Sequence, residues 1–236
     1  YFGIYKYDWI NAALSNDVEI FSKDGKKSYF NQDKFAESIR FVKSLESLNG
    51  NKNITKEQFD SGKVAFSQMS LAEYRTYKSY PYKIKKYTGF AWDCIPMPAG
   101  NSGNNVSMID SLDIAISSRS NKKKLAWEFL KTLTYDTEIQ QTLYNEMPVA
   151  SVLKEVMESK ESENIFKEDE DIIDSKLICH ILENGIAKPK FSGYEGAISL
   201  ADSKISKLNL GDDIENALRI LQRQMSKYLI QERGKT

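Results

Sequence analysis

Residues 112–133 read Leu112-Asp-Ile-Ala-Ile-Ser-Ser-Arg-Ser-Asn-Lys-Lys-Lys-Leu-Ala-Trp-Glu-Phe-Leu-Lys-Thr-Leu133, and the change of period inside this stretch decides the fold. Leu112 to Ile116 is a short apolar run that predicts a strand. Ser117 to Asn121 is a turn rich in cap formers, with Ser120 or Asn121 predicted to take the first orphan amides of a helix. Ala126, Phe129, Leu130 and Leu133 then fall at i, i+3, i+4 and i+7, one apolar stripe. Thr134 or Asp136 is predicted to cap a second helix that buries Ile139 and Leu143. That helix stops at Met147-Pro148, because proline cannot continue it.

Outward from this stretch the same alternation recurs. Tyr1 to Leu14 predicts a strand passing into a short helix near Trp9. Asp24-Gly25 is a turn signal between Val18–Phe21 and Ser28–Phe30, a small hairpin. Asn31 or Asp33 caps a helix with Phe35, Ile39, Val42 and Leu45 or Leu48 on one face. Thr55-Lys-Glu-Gln58 is a capping box, and Gly62 closes its helix. Val64–Met69 and Gly89–Ile95 read as strands, Leu71–Tyr80 as a helix, and Gly100–Asn105 as an exposed loop. Lys154–Asp174 reads as a solvated charged segment, and residues 172–182 as a helix. Ala187–Lys190 is extended because of Pro189. Tyr194–Leu208 is helical, and Ile214, Leu218, Leu221, Met225 and Leu229 make the regular stripe of a last long helix. Helices separated by short strands imply an α/β chain.

Composition removes several functions. Lysines plus arginines number 33 against 33 acids, so the basic footprint of nucleic-acid binding is absent. No apolar run approaches the ~20 residues of a spanning helix. Cys94 and Cys179 sit in no CxxC pair, which excludes that zinc or redox motif; both are expected as free buried thiols.

A nucleophilic triad needs a base, and His180 is the only histidine. It adjoins Cys179 in a helical pattern, so the two side chains diverge by about 100° and do not face each other as a Cys–His couple must. One histidine and scattered acids give no metal cluster. No GxGxxG or Walker A pattern occurs. Among acids, Asp93, Asp110 and Asp113 lie in strand-and-loop context, where paired carboxylates could act on a glycoside. Lys122-Lys-Lys124 at a helix start opposes the helix dipole and reads as solvated.

The order of motifs resembles the sugar-type extracellular solute-binding proteins of family 1, components of ABC importers. The resemblance rests on the strand, the Ser-Asn-Lys turn, the Ala-Trp-Glu-Phe-Leu-Lys helix and the Pro-Val-Ala that follows. Gln58-Phe-Asp-Ser-Gly-Lys-Val-Ala-Phe66 is similar to the family's F-x-x-Gly-Lys-x-Ala-Met, and Trp92-Asp-Cys-Ile-Pro-Met-Pro98 to its Tyr-Asp-x-x-x-x-Pro strand. The resemblance implies a type II periplasmic-binding-protein-like α/β fold, mainly the second, C-terminal lobe with a crossing segment of the first. It divides the chain into a second-lobe portion 1–106, a first-lobe crossing segment 107–155 and a second-lobe helical portion 156–236. Family members are longer, so the chain is expected to be a fragment, with Trp127 or Phe129 exposed where the rest of the first lobe is absent. Such exposure favours a dimer or a swap of the fragment.

The implied function is carbohydrate binding by lobe closure, without chemistry, cofactor or metal. Sugar sites pair a flat aromatic with hydrogen-bonding groups. The candidates are Tyr7, Asp8, Trp9, Glu73, Tyr74, Trp92, Tyr194 and Glu195, with Asp110 and Ser111 at the start of the crossing strand. The resemblance departs where members carry Trp and this chain has Ala72 and Tyr74, and where members carry glycines and this chain has Asp110 and Ser111. For every aromatic, core packing stands beside ligand contact. The implied partners are a sugar or oligosaccharide and the membrane permease subunits, not nucleic acid. The implied location is outside the cell, on a lipoprotein anchor that this sequence lacks. The competing readings are a small α/β hydrolase of glycans using Asp or Glu, and an interaction domain with no ligand.

Overall fold

The structure, a computed structural model, describes all residues except 51, 79–89, 91, 93, 102, 148, 168–174 and 235–236. In chain order the elements are β1 (Phe2–Ile4), α1 (Trp9–Ser15), α2 (Asp33–Ser47), α3 (Lys56–Asp60), β2 (Val64–Phe66), α4 (Leu71–Lys78) and β3 (Met108–Ile109). They continue with α5 (Lys123–Tyr135), α6 (Thr137–Glu146), α7 (Lys154–Met157), α8 (Lys160–Lys167), α9 (Ser175–Glu183), β4 (Ile186–Ala187), α10 (Tyr194–Ile205) and α11 (Ile214–Arg233). The chain divides into two compact units: Tyr1–Gln68, Met97–Asp110 and Asn184–Thr236 form unit one, and Met69–Pro96 with Ser111–Glu183 form unit two. The sequence reading draws its boundaries at 106/107 and 155/156; by compactness residues 107–110 go with unit one, and residues 69–96 and 156–183 join 111–155 in unit two.

Unit one holds two small parallel ladders. Phe2 and Ile4 stand opposite Val64 and Phe66, and Met108 and Ile109 opposite Ile186 and Ala187. Asp8 caps α1, its carboxylate accepting from the Ile10 amide at 2.9 Å. The expected hairpin is reduced to one antiparallel bridge, Phe21 with Ser28. Its tip needs glycine: Gly25 has φ +66°, and a Cβ there would lie 2.2 Å from the Phe191 ring. The α2 cap is Gln32, with no side-chain bond, rather than Asn31 or Asp33. Phe35, Ile39 and Val42 are buried as expected, but Leu48 lies past the helix and is 68% exposed. The capping box of α3 forms, Thr55 N–H donating to Gln58 Oε1 at 2.9 Å. The stripe of α11 is buried along its whole length and closes the core with Phe30, Phe35, Ala197 and Ala201.

Unit two is built from α4 to α9. Tyr74, Tyr144, Val156, Met157 and Ile178 form its buried cluster. Arg75 fastens α4 to the end of α6: its guanidinium donates to the carbonyls of Tyr144 (2.5 Å), Asn145 (3.0 Å) and Met147, all freed by the helix terminus. The same group lies 5.4 Å over the Tyr144 ring. Asp136 caps α6 by accepting from Ile139 N–H at 3.0 Å.

Further expectations are corrected by the structure. Residues 112–116 are not a strand; β3 lies just before them, and Leu112 and Ile114 are exposed because no described strand pairs with this segment. The α5 cap is Lys122, not Ser120 or Asn121, although Ser120 Oγ accepts from Lys122 N–H at 3.2 Å. The segment 154–174 is not simply solvated, since Val156, Met157 and Ser162 are buried; residues 168–174 lie outside the described residues. Of the expected strand 89–95, Gly89, Ala91 and Asp93 lie outside the described residues, and Trp92, Cys94 and Ile95 carry no strand. Pro148 also lies outside them. Neither cysteine is in a disulfide; both are half-buried rather than buried, and they pack against the unit-two cluster. No helix among the described residues is long and apolar enough to cross a membrane.

Candidate functional site

The candidate residues fall into two groups, one in each unit. In unit one, β3 and β4 end side by side, and Lys188 N–H donates to Ile109 O at 2.9 Å. That register brings the side chains of Asp110 and Lys188 together. The Lys188 ammonium lies 3.8 Å from Asp110 Oδ2, 2.7 Å from Glu195 Oε1 and 5.7 Å over the Tyr194 ring. The hydrogen bond with Glu195 is the main reason the lysine holds its proton above the ordinary range. Tyr194 itself is buried, its hydroxyl 3.8 Å from the Met108 sulfur. Burial, then the charges of Glu195, Asp8, Asp110 and Asp202, push its phenol up to about 12.

Asp8, Tyr7 and Trp9 sit at the start of α1. Asp8 is half-buried, and desolvation raises its carboxyl above the ordinary range against the opposing pull of the Ile10 amide. Burial, and secondarily Asp8, raises the half-buried Tyr7 phenol, whose ring meets Phe41 edge-on at 5.8 Å. Trp9 is 7% exposed; it packs on Phe35 and Phe30, and its indole N–H donates to Asp202 Oδ1 at 2.7 Å.

In unit two, Tyr74 is 4% exposed and stacks edge-on against Trp92, centroids 6.1 Å apart; Tyr77 meets the same indole at 5.6 Å. Glu73 closes a capping box on α4: its carboxylate accepts from the Ser70 amide at 2.8 Å, and Ser70 Oγ from the Glu73 amide at 3.1 Å. Ser111 is exposed, its hydroxyl donating to Asp113 Oδ1 at 3.2 Å.

Three candidate rings, Trp9, Tyr74 and Tyr194, are therefore packed in cores, while Asp110, Ser111, Glu73 and Glu195 are exposed. Two recesses are elsewhere: one of about 190 Å³ lined by Lys43, Glu46 and the 208–211 loop, and one of about 300 Å³ among the charged side chains of α7 to α9. Neither is lined by a candidate residue. Sequence reasoning missed Lys188 and Asp202; the only signal for the lysine is its place beside Pro189, in the extended segment. His180 is exposed in the last turn of α9. Among the described residues, no three His, Cys, Asp or Glu side chains are grouped to hold a metal ion. Unit one thus presents the exposed carboxylates of Asp110 and Glu195 beside the Lys188 ammonium.

Residues 2–172 match the sequence profile of the bacterial extracellular solute-binding proteins. Curated protein sequences give no match. Among solved structures the chain is similar to the cyclic α-maltosyl-1,6-maltose binding protein of Arthrobacter globiformis (TM-score 0.76, 13% identity, 94% of this chain and 55% of that one). It is similar to the sugar-binding protein MalE of Xanthomonas citri (TM-score 0.75, 15% identity, 99% and 59%). It is also similar to an ABC substrate-binding protein of Listeria monocytogenes in complex with cycloalternan (TM-score 0.67, 16% identity, 96% and 58%). The chain thus spans between 55% and 59% of the length of these three proteins.

Proposed function

Because this chain belongs to the bacterial extracellular solute-binding proteins and has their periplasmic-binding-protein-like fold, we propose that it is part of the carbohydrate-binding component of an ABC importer. The observation that carries the proposal is the family match over residues 2–172 together with a shared fold across nearly the whole chain. The family and the similar structures are binding proteins, and the reading extends this to no bond-making step and no cofactor. In this reading unit one belongs to the second lobe, and residues 111–155 of unit two are the segment that crosses to the first. The whole protein would capture a sugar or oligosaccharide by closing its lobes, a population shift toward the closed state, and deliver it to membrane permease subunits. A lipid anchor on the outer face of the membrane belongs to the same reading.

The proposed ligand contacts are the accessible candidates Tyr7, Asp8, Asp110, Ser111, Glu73, Trp92 and Glu195, while Trp9, Tyr74 and Tyr194 serve as core residues. The test is a glycan array probed with the whole protein, followed by calorimetry on any glycan it captures. Saturable micromolar binding without turnover of the glycan supports the reading. Hydrolysis of the captured glycan would replace it with the hydrolase reading.

A further inference from the structure

We draw no further inference here: the strongest candidate, the exposed apolar surface of α5 in unit two that carries Leu125 and Phe129 one turn apart, supports nothing more, because nothing among the described residues shows what covers it.

Discussion

Unit one and unit two use the same helical period and reach different ends. In unit one, 21 buried residues from α1, α2, α10, α11 and the loops join in one described cluster, and every stripe residue of α11 is inside it. In unit two the described cluster has five buried residues, and α5, with as regular a stripe, buries none. Leu125 and Phe129, one turn apart on α5, are both 66% exposed. Period therefore specifies which face of a helix is apolar, while burial depends on a second layer being there to meet it. Unit two also carries polar fasteners, the Arg75 clamp and the Asp136 cap among them. Their contributions are local rather than spread over a core.

The largest expected effect sets one phenylalanine against another. Phe35 is fully buried among aromatic neighbours, and Phe35→Ala should destabilise unit one by about 3–5 kcal/mol in urea unfolding. Phe129→Ala should change stability by no more than about 0.5 kcal/mol. Comparable losses would mean that the α5 face is covered in solution and that the contrast between the units is mistaken.

Arg75→Met comes next. It withdraws the donors from the end of α6 and should cost about 2–3 kcal/mol, read as faster amide exchange in α6 with α11 unaffected. Loss of protection in both helices would show that the clamp serves the whole chain. Asp136→Ala should cost about 1 kcal/mol, again confined to unit two, by the same exchange measurement.

The smallest effect is a pH dependence in unit one. Asp8 has its carboxyl raised by burial, so ionised Asp8 opposes folding, and that penalty is absent below the unfolded value near 3.8 and grows as pH rises through the folded value. Asp8→Asn keeps a good cap and removes the charge. The variant should be the more stable at pH 7, and its advantage should shrink as the pH falls toward 3.8. An advantage that grows on acidification would reverse the sign assigned to Asp8.

Much of this architecture is legible in the sequence because its signals are local. The Thr55–Gln58 box, the Asp136 cap and the Gly25 turn each occupy a few consecutive residues, and the α11 stripe repeats within one helix. The family resemblance, read from the Ala-Trp-Glu-Phe-Leu-Lys helix and its neighbours, is borne out by the profile match. What escaped is long-range. The two-residue strands β3 and β4 are too short to show a period, and only their pairing brings Lys188 to Asp110. Leu112 to Ile116 has the composition of a strand, but a strand exists only with a neighbour to bond to. For Trp9, Tyr74 and Tyr194 an aromatic in the sequence fits a sugar face or a core equally well, and the fold packs all three.

The functional account is tested most directly by titrating one captured glycan into the whole protein and into residues 1–236 alone. Sites that hold small ligands tightly enclose roughly 70–90% of their surface, and residues 1–236 span only 55–59% of the length of the three similar structures. If the two lobes contribute comparably to a micromolar affinity, one alone falls to about millimolar or weaker. Calorimetry should therefore give a micromolar isotherm for the whole protein and no heat of binding for residues 1–236 at micromolar concentration. Micromolar binding by residues 1–236 alone would contradict the account and identify a self-contained site within this chain.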